Sequence, residues 1–527
     1  MSARIADDSH GGGSAGRSSE PVDLDALLAE VEELEAQAKN VTEAKKKPSV
    51  ATQLVRLAEA QYGFGITPNG KTFAYHLEAP HVTFPLKSKQ LALQQRLAWD
   101  YYERNQIVAA ASALGEAMVT LEGIALRTEP AETYVRVAGD SEAVYLDMAD
   151  AANRVIKISG GDWKVVTECP YKFRRTQDTA AMVEPARGGK VSRLFRYVPV
   201  ARDERALVVG TAVDFIINPN TAKPIVHLDG EQGTAKTSST VHFARLIDPA
   251  VTPHNSPPKS LQDWILTAAT SWVVALDNLS DLPFWLSDAM CRTATGSGLK
   301  TRALYTDEDL ALFVFRRPIV FNGISMEHIR GDLADRLVPF TLQHIPEDKR
   351  VPEGDLAAEW SKDHPRILGG LLSIAAKVHH KLPHTPRPDK LPRMADFALT
   401  LNCFDQEFNH NPKSLPLYLS RRKRALTETA QDDPFIAQLV AMRYDTGLDG
   451  HTGKEVLEAV TAAYRVDPPP KGWPKHPKTV THLLTRHAPG LRAAGWSVEN
   501  DGGKNKDSTK RWILVPPAED DEKAGTE

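Results

Sequence analysis

Val226-His227-Leu228-Asp229-Gly230-Glu231-Gln232-Gly233-Thr234-Ala235-Lys236-Thr237 decides how the rest of the chain is read. A short apolar run, read as a strand, enters a glycine-containing turn that ends in Lys-Thr at the start of a helix over 238–246. Strand, loop and helix in that order are what a phosphate-cradling loop requires. Gly230, Glu231, Gln232, Gly233, Thr234 and Ala235 offer backbone N–H groups, and the helix N-terminus adds partial positive charge. Lys236 is placed to reach the β- and γ-phosphates of ATP and the Thr237 hydroxyl to ligate Mg²⁺, with Ser238 closing the nucleotide-binding set. Ala235 stands where the pattern G-x-x-x-x-G-K-[ST] has its second fixed glycine, so its methyl is tolerable only if φ stays negative.

Three downstream segments supply the other parts. Ser271-Trp272-Val273-Val274-Ala275-Leu276-Asp277-Asn278 is an apolar run that delivers a carboxylate, and Asp277 is the second candidate Mg²⁺ ligand. Arg316-Arg317-Pro318-Ile319-Val320-Phe321-Asn322-Gly323 is a buried-strand candidate ending in an amide; Asn322 could orient the attacking water or sense the γ-phosphate. Gly331-Asp332-Leu333-Ala334-Asp335-Arg336-Leu337 follows, with Arg336 placed to act on a neighbouring subunit's nucleotide. Lys236, Asp277, Asn322 and Arg336 form the candidate catalytic set.

With these parts in order, the span from about 205 to 400 resembles the ATPase module of superfamily 3 helicases of viruses and mobile elements, within the AAA+ class. It looks most like the helicase halves of phage and poxvirus-type primase–helicases and like actinobacterial integrated-element ATP-binding proteins. The segment that carries the likeness furthest is Ala294-Thr295-Gly296-Ser297-Gly298-Leu299-Lys300-Thr301-Arg302-Ala303-Leu304-Tyr305-Thr306-Asp307-Glu308. It is similar to the family's hairpin between the carboxylate strand and the sensor strand, which carries basic residues to single-stranded DNA in the ring's channel. The resemblance thus implies that Lys300 and Arg302 touch DNA, that ATP and Mg²⁺ are the cofactors, and that the chain assembles as a hexameric ring. A separate primase is a candidate partner. Asn278 departs from the family's second adjacent acid, so the residue that would polarise water is missing or comes from elsewhere.

Length and composition set the frame. At 527 residues the chain exceeds one core, and two to four domains are expected. A net charge of −4 gives no global attraction to nucleic acid, so binding must come from local patches. Cys169, Cys291 and Cys403 form neither a zinc pattern nor a disulfide framework, which suits a reducing cytoplasm. No apolar run reaches membrane-spanning length and the N-terminus lacks a signal-peptide core, so the expected location is cytoplasmic, with no membrane partner.

Along the chain, residues 1–48 read as a Ser/Gly-rich disordered tail and a short amphipathic helix. Residues 49–204 read as a mixed α+β domain: helices over 49–60 and 87–123, the latter broken near Asn105, then short strands at 134–137, 143–146, 155–158 and 163–166. Asp147 and Asp150 are expected as solvent-facing turn acids. The basic run Lys172, Arg174, Arg175 could touch nucleic acid or line a solvated strand edge. The ATPase core spans 205–350 and a helical bundle 351–431, with Arg421, Arg422, Lys423 and Arg424 expected on a solvated helix face.

Residues 432–515 carry helix, helix, then a two-stranded hairpin with a basic tip, the order of a winged helix. The helix from Pro477 would lie in a major groove with Lys478, Thr479, His482 and Arg486 outward and Val480, Leu483 and Leu484 inward. Lys504 and Lys506 at the wing tip would meet phosphates. Nine Lys/Arg stand against three acids between 471 and 512, the asymmetry that local DNA binding requires. An acidic tail, 516–527, closes the chain.

The expected class is therefore α/β: a P-loop AAA+ type ATPase core, a mixed α+β N-terminal domain, a helical lid and a C-terminal winged helix. The expected function is an ATP-dependent DNA helicase or replication initiator of a phage, plasmid or integrated element. The alternative is a nucleotide-gated DNA-binding scaffold, regulator or loader without unwinding activity.

Overall fold

A computed structural model of the chain describes residues 29, 32–33, 48–87, 93–302, 310–324, 329, 331–442, 448–466, 468–470, 472–503 and 509–517. The expected tail and helix over 1–48 and the acidic tail over 516–527 lie almost wholly outside the described residues, as do the hairpin tip at 303–309, Lys504 and Lys506.

The described residues fall into two compact units, 1–60 with 94–120 and 61–93 with 121–527. The first is helical, built from Val50–Gln61, Leu93–Asn105 and Ala111–Ala125. The second begins with two small sheets. One has five strands in the order Tyr62–Ile66, Thr72–His76, Ala79–Pro85, Lys172–Arg174, Thr133–Tyr134. The other is an antiparallel meander of Val137–Gly139, Ala143–Asp147, Val155–Ser159 and Asp162–Val166. Gly160 and Gly161, at φ of 59° and 81°, make the two-residue turn of its last hairpin, a conformation that glycine adopts without steric cost.

The centre is a four-stranded parallel sheet. Its strands are β1 (Ile225–Asp229), β2 (Val274–Leu276), β3 (Ile319–Asn322) and β4 (Leu337–Thr341), in the order β2-β3-β1-β4. Such sheets are buried on both faces, which is why these strands read as continuous apolar runs. Val226, Leu228, Val320 and Phe340 face one core, shared with α1 (Arg205–Ile217) and α2 (Lys236–Ile247). Ile225, Ile319, Phe321 and Leu337 face the other, shared with α3 (Leu261–Thr270) and α4 (Phe284–Thr295). Pro339 lies inside β4, which is possible because β4 is an edge strand and needs no donor on its open side. An antiparallel hairpin, Leu299–Arg302 with Leu310–Phe313, leaves the sheet between β2 and β3 in sequence.

α1 is buried from Leu207 to Ile217, apolar all round except for Thr211, which donates to the Leu207 carbonyl, and Asp214. That carboxylate lies 3.4 Å from the Lys223 ammonium, both fully buried, and also accepts from Asn218 and Thr400. α5 (Glu353–Lys381), α6 (Ala395–Phe408) and α7 (Ser414–Gln431) form the bundle that covers α1, with Ile367, Leu368, Leu371, Leu372, Ala375 and Ala376 as the buried stripe of α5.

Two sets of charges face inward against expectation. Asp147 is fully buried and receives two hydrogen bonds from Arg175, at 2.8 and 2.9 Å, so it is no solvent-facing acid. Arg175 is thereby engaged, Arg174 donates to the Ala269 carbonyl, and Lys172 lies 3.6 Å over the Tyr75 ring. On α7, Arg421 holds the buried Glu204 carboxylate at 2.6 Å and Arg422 binds Asp335, while Arg424 remains exposed. A carboxylate carried into the fold would be costly if left unpaired, and a guanidinium that reaches it with charge-assisted hydrogen bonds removes that cost.

The C-terminal segment comprises α8 (Pro434–Ala441), β5 (Leu448–Thr452), α9 (Gly453–Ala463), α10 (Pro477–Ala493), β6 (Ser497–Asn500) and β7 (Arg511–Val515). Its strands form an antiparallel sheet in the order β5-β7-β6 over a core that includes Phe435, Val456, Val480, Leu484 and Trp512. Thr452 and Glu455 cap α9 reciprocally, satisfying two orphan N–H groups at its start.

Arg136 is a fully buried charge held by four hydrogen bonds. Its guanidinium donates to Asp248 at 2.8 Å and to the carbonyls of Asp147, Ala180 and Pro249, while Asp248 also accepts from the backbone of Trp272 and Val273. Asp248→Ala is therefore expected to lower unfolding free energy by about 3–5 kcal/mol, because it strands a buried cation and two N–H groups. A chemical-denaturation midpoint equal to that of the parent chain would contradict this.

Candidate functional site

All four parallel strands end at the same edge of the sheet, and the candidate residues collect there. β1 ends at Asp229, whose Oδ1 accepts from the Gly230 N–H at 2.8 Å, and the loop 230–235 leads directly into α2. The loop is packed closely on itself. A Cβ added to Gly230 would sit 2.7 Å from the Thr234 hydroxyl and 3.3 Å from the Leu342 carbonyl. Lys236 is the first residue of α2, and its Nζ donates to the carbonyls of Gly230 at 2.5 Å and Glu231 at 3.2 Å, spanning the mouth of the loop. Glu231, Gln232, Gly233 and Thr237 are exposed, whereas Thr234 is buried and donates to the Glu231 carbonyl at 2.9 Å.

The condition set for Ala235 fails. Its φ is +60° with ψ 39°, the left-handed region, so this methyl stands in a conformation that glycine would occupy freely. The chain accepts it because Ala235 caps α2, whose amide at Ser239 donates to the Ala235 carbonyl at 2.9 Å.

Asp277 and Asn322 are brought together beside α2. Asn322 Nδ2 donates to Asp277 Oδ1 at 2.8 Å and to the Thr240 hydroxyl at 2.8 Å, and Thr240 donates in turn to the Lys236 carbonyl at 3.0 Å. Asn278, at φ 53°, donates its backbone N–H to Asn322 Oδ1 at 3.0 Å. The amide that ends β3 thus ties the carboxylate after β2 to the first turn of α2. Thr240 carries no motif that sequence reading could flag; only its place one turn after Lys236 hints at it. His227 is a second residue not anticipated. It is fully buried, its Nε2 lies 2.9 Å from the Ile324 carbonyl, its ring packs on Phe321, and burial lowers its pKa, keeping it neutral.

Arg336 is not with them. It precedes β4, its carbonyl accepts from the Ile225 N–H at 3.0 Å, and it therefore lies at the opposite edge of the sheet from the loop. Its side chain is buried, with Nη1 donating to the carbonyl of Asp332 at 2.5 Å and to its carboxylate at 2.8 Å. The expectation of an arginine presented to a neighbouring subunit is overturned at this position: the i−4 carboxylate of its own chain holds it.

The candidate DNA contacts divide. Lys300 and Arg302 lie on the first strand of the hairpin, Leu299–Arg302. In the C-terminal segment Lys478, Thr479, His482 and Arg486 are exposed along α10, and Val480, Leu483 and Leu484 are buried. No group of three or more His, Cys, Asp or Glu able to hold a metal occurs among the described residues, and no helix among them is long and apolar enough to cross a membrane.

Ala235→Gly should relieve the left-handed alanine, a strain of about 1–2 kcal/mol, partly offset by the unfolded-state freedom of glycine. The expected result is a denaturation midpoint at or above that of the parent; a clear fall would show that the loop does not hold this conformation.

Residues 191–418 match the family model described as the actinomycete integrative conjugative element replication protein. Residues 435–523 match the model described as the AICE RepA C-terminal domain. No curated protein matches the chain. Among solved structures, the apo structure of the NrS-1 C-terminal region (305–718) and its A form are each 10% identical, with a TM-score of 0.36, covering 89% of this chain and 100% of theirs. A further A-form structure of that region is 11% identical with the same TM-score, covering 88% of this chain and 98% of its own. Likeness at that level carries no argument about the site. Over residues 191–418 and 435–523 the chain is thus similar to the replication proteins of actinomycete integrative conjugative elements.

Proposed function

We propose that this chain is a replication protein of an integrative element and works as an ATP-hydrolysing DNA motor or initiator, with a P-loop ATPase core, a helical lid and a C-terminal winged helix. The observation that carries the reading is the hydrogen-bonded run Asp277–Asn322–Thr240–Lys236 at the mouth of the loop 230–235. It sets a carboxylate and an amide beside the N-terminal turns of α2 at the C-terminal edge of a parallel sheet, where ligands of such sheets bind.

The residues present suit a magnesium–nucleotide complex. Gly230 leaves no room for a side chain at the start of the loop, Thr237 is exposed at its end, and Asp277 keeps an oxygen beyond the one bonded to Asn322. When bound, Mg²⁺ would offset the negative charge that develops on the phosphate oxygens. Loop N–H groups and Lys236 would hold the polyphosphate, Thr237 and Asp277 would hold the metal, and Asn322 would keep Asp277 oriented. Transition-state charge in phosphoryl transfer is stabilised mainly by such fixed dipoles and cations. Asn278 supplies no carboxylate beside Asp277, so general-base assistance comes from no adjacent acid on this strand end.

α10 would present Lys478, Thr479, His482 and Arg486 to a major groove, with the β6–β7 turn as the wing. Lys300 and Arg302 would bring the hairpin to single-stranded DNA, and a hexameric ring would enclose it. The second reading, a nucleotide-gated DNA-binding scaffold without unwinding, is favoured by two observations: Asn278 in place of an acid and the burial of Arg336.

Lys236→Ala is expected to abolish ATP hydrolysis while leaving the melting temperature within a few degrees of the parent; undiminished turnover would refute the motor assignment. Strand displacement on a forked duplex separates the two readings, since the scaffold binds the fork without parting it. Lys478→Ala with Arg486→Ala should weaken duplex binding and reduce the slope of log K against log salt by about 2, from the two phosphate or base contacts removed. An unchanged slope would place DNA elsewhere on the protein.

A further inference from the structure

We propose that Arg350 completes the nucleotide site from within the same chain, its guanidinium binding the polyphosphate held by the loop 230–235. The inference rests on the nucleotide reading above. Arg350 lies on the segment that joins β4 to α5. That segment is tied to the site at its start, where the Leu342 N–H donates to the Asp229 carbonyl at 2.8 Å and the Gln343 N–H to the Pro199 carbonyl at 2.6 Å. A 3₁₀ turn, Glu347–Lys349, then brings the chain back, with the Arg350 N–H on the Glu347 carbonyl. The side chain lands on the loop: a Cβ built at Gly233 would lie 3.1 Å from Arg350 Nη2. Gly233 has φ +87° and no side chain, and both features let the guanidinium come this close.

Arg350 is exposed, and no ion pair among the described residues engages it. Its guanidinium rests against the exposed loop at Gly233, ahead of the N-terminus of α2, where backbone N–H groups carry partial positive charge. A polyphosphate held by that loop would offer the guanidinium two oxygens at once. Arg421, on the neighbouring helix, cannot take the part because Glu204 and Thr341 hold it, and Arg336 lies at the far edge of the sheet.

The test is titration of the full chain with fluorescent mant-ATP and mant-ADP, together with ATP hydrolysis, for the parent, Arg350→Ala, Arg350→Lys and Lys236→Ala. Arg350→Ala should weaken both nucleotides roughly tenfold to a hundredfold, the range of a hydrogen bond to a charged group. Arg350→Lys should recover part of the loss, with the melting temperature of each variant unchanged. If Arg350→Ala binds mant-ATP as the parent does while Lys236→Ala does not, Arg350 has no part in the site. If the parent itself binds neither nucleotide, the nucleotide reading fails first and this inference fails with it.

Discussion

β1 is hydrogen-bonded in parallel on both sides, to β3 through Ile225–Leu228 and to β4 through Ile225–Asp229, and the rest of the second unit follows from that constraint. Parallel neighbours cannot be joined by tight turns, so the chain must cross over through helices that cover both faces of the sheet. All strands then finish at one edge. Asp229, Asp277, Asn322 and Thr341 arrive there together although more than a hundred residues separate the first from the last. Beyond the end of β1 the chain enters the loop 230–235, whose first N–H is taken by the Asp229 carboxylate.

The charges buried around this sheet position it. Arg136 with Asp248 fixes the meander against the start of β2, Asp214 with Lys223 fixes α1 against the entry to β1, and Glu204 with Arg421 fixes α7 against the end of β4. Each pair joins residues from different elements, and each would be costly to break singly because a desolvated partner would remain. Burial raises the Glu204 pKa, and Thr341 N–H and Arg421 oppose that shift. Such pairs gain little over apolar packing in stability. They do allow one arrangement of the helices and penalise others, which keeps the loop and the Asp277–Asn322 pair in register.

Much of this architecture could be read from the residues. The apolar runs before Asp229, after Ser271 and before Asn322 announced three of the four central strands, because burial on both faces leaves a continuous signal. β4 escaped notice because Pro339 interrupts a run of only five residues, and only an edge position makes that proline harmless. α1 carries no amphipathic stripe, being buried all round, so its 3.6-residue period does not show. The amphipathic stretches of the C-terminal segment, by contrast, gave the order of its last helix and hairpin from pattern alone.

Local pattern settles what each stretch can become; it does not say which way a long polar side chain turns. The spacing of Gly230, Gly233, Lys236 and Thr237 lies within a dozen residues, so strand, loop and helix are dictated by neighbours in the chain. Arg336, Asp147, Arg421 and Arg422 were a different matter. Their partners Asp332, Arg175, Glu204 and Asp335 are chosen by packing, and for three of the four that partner lies tens to hundreds of residues away. The same holds for Arg350 against Gly233, a contact made by the path the chain takes after β4. Coulomb attraction between desolvated groups depends on distance through space, and that distance exists only once the sheet has formed.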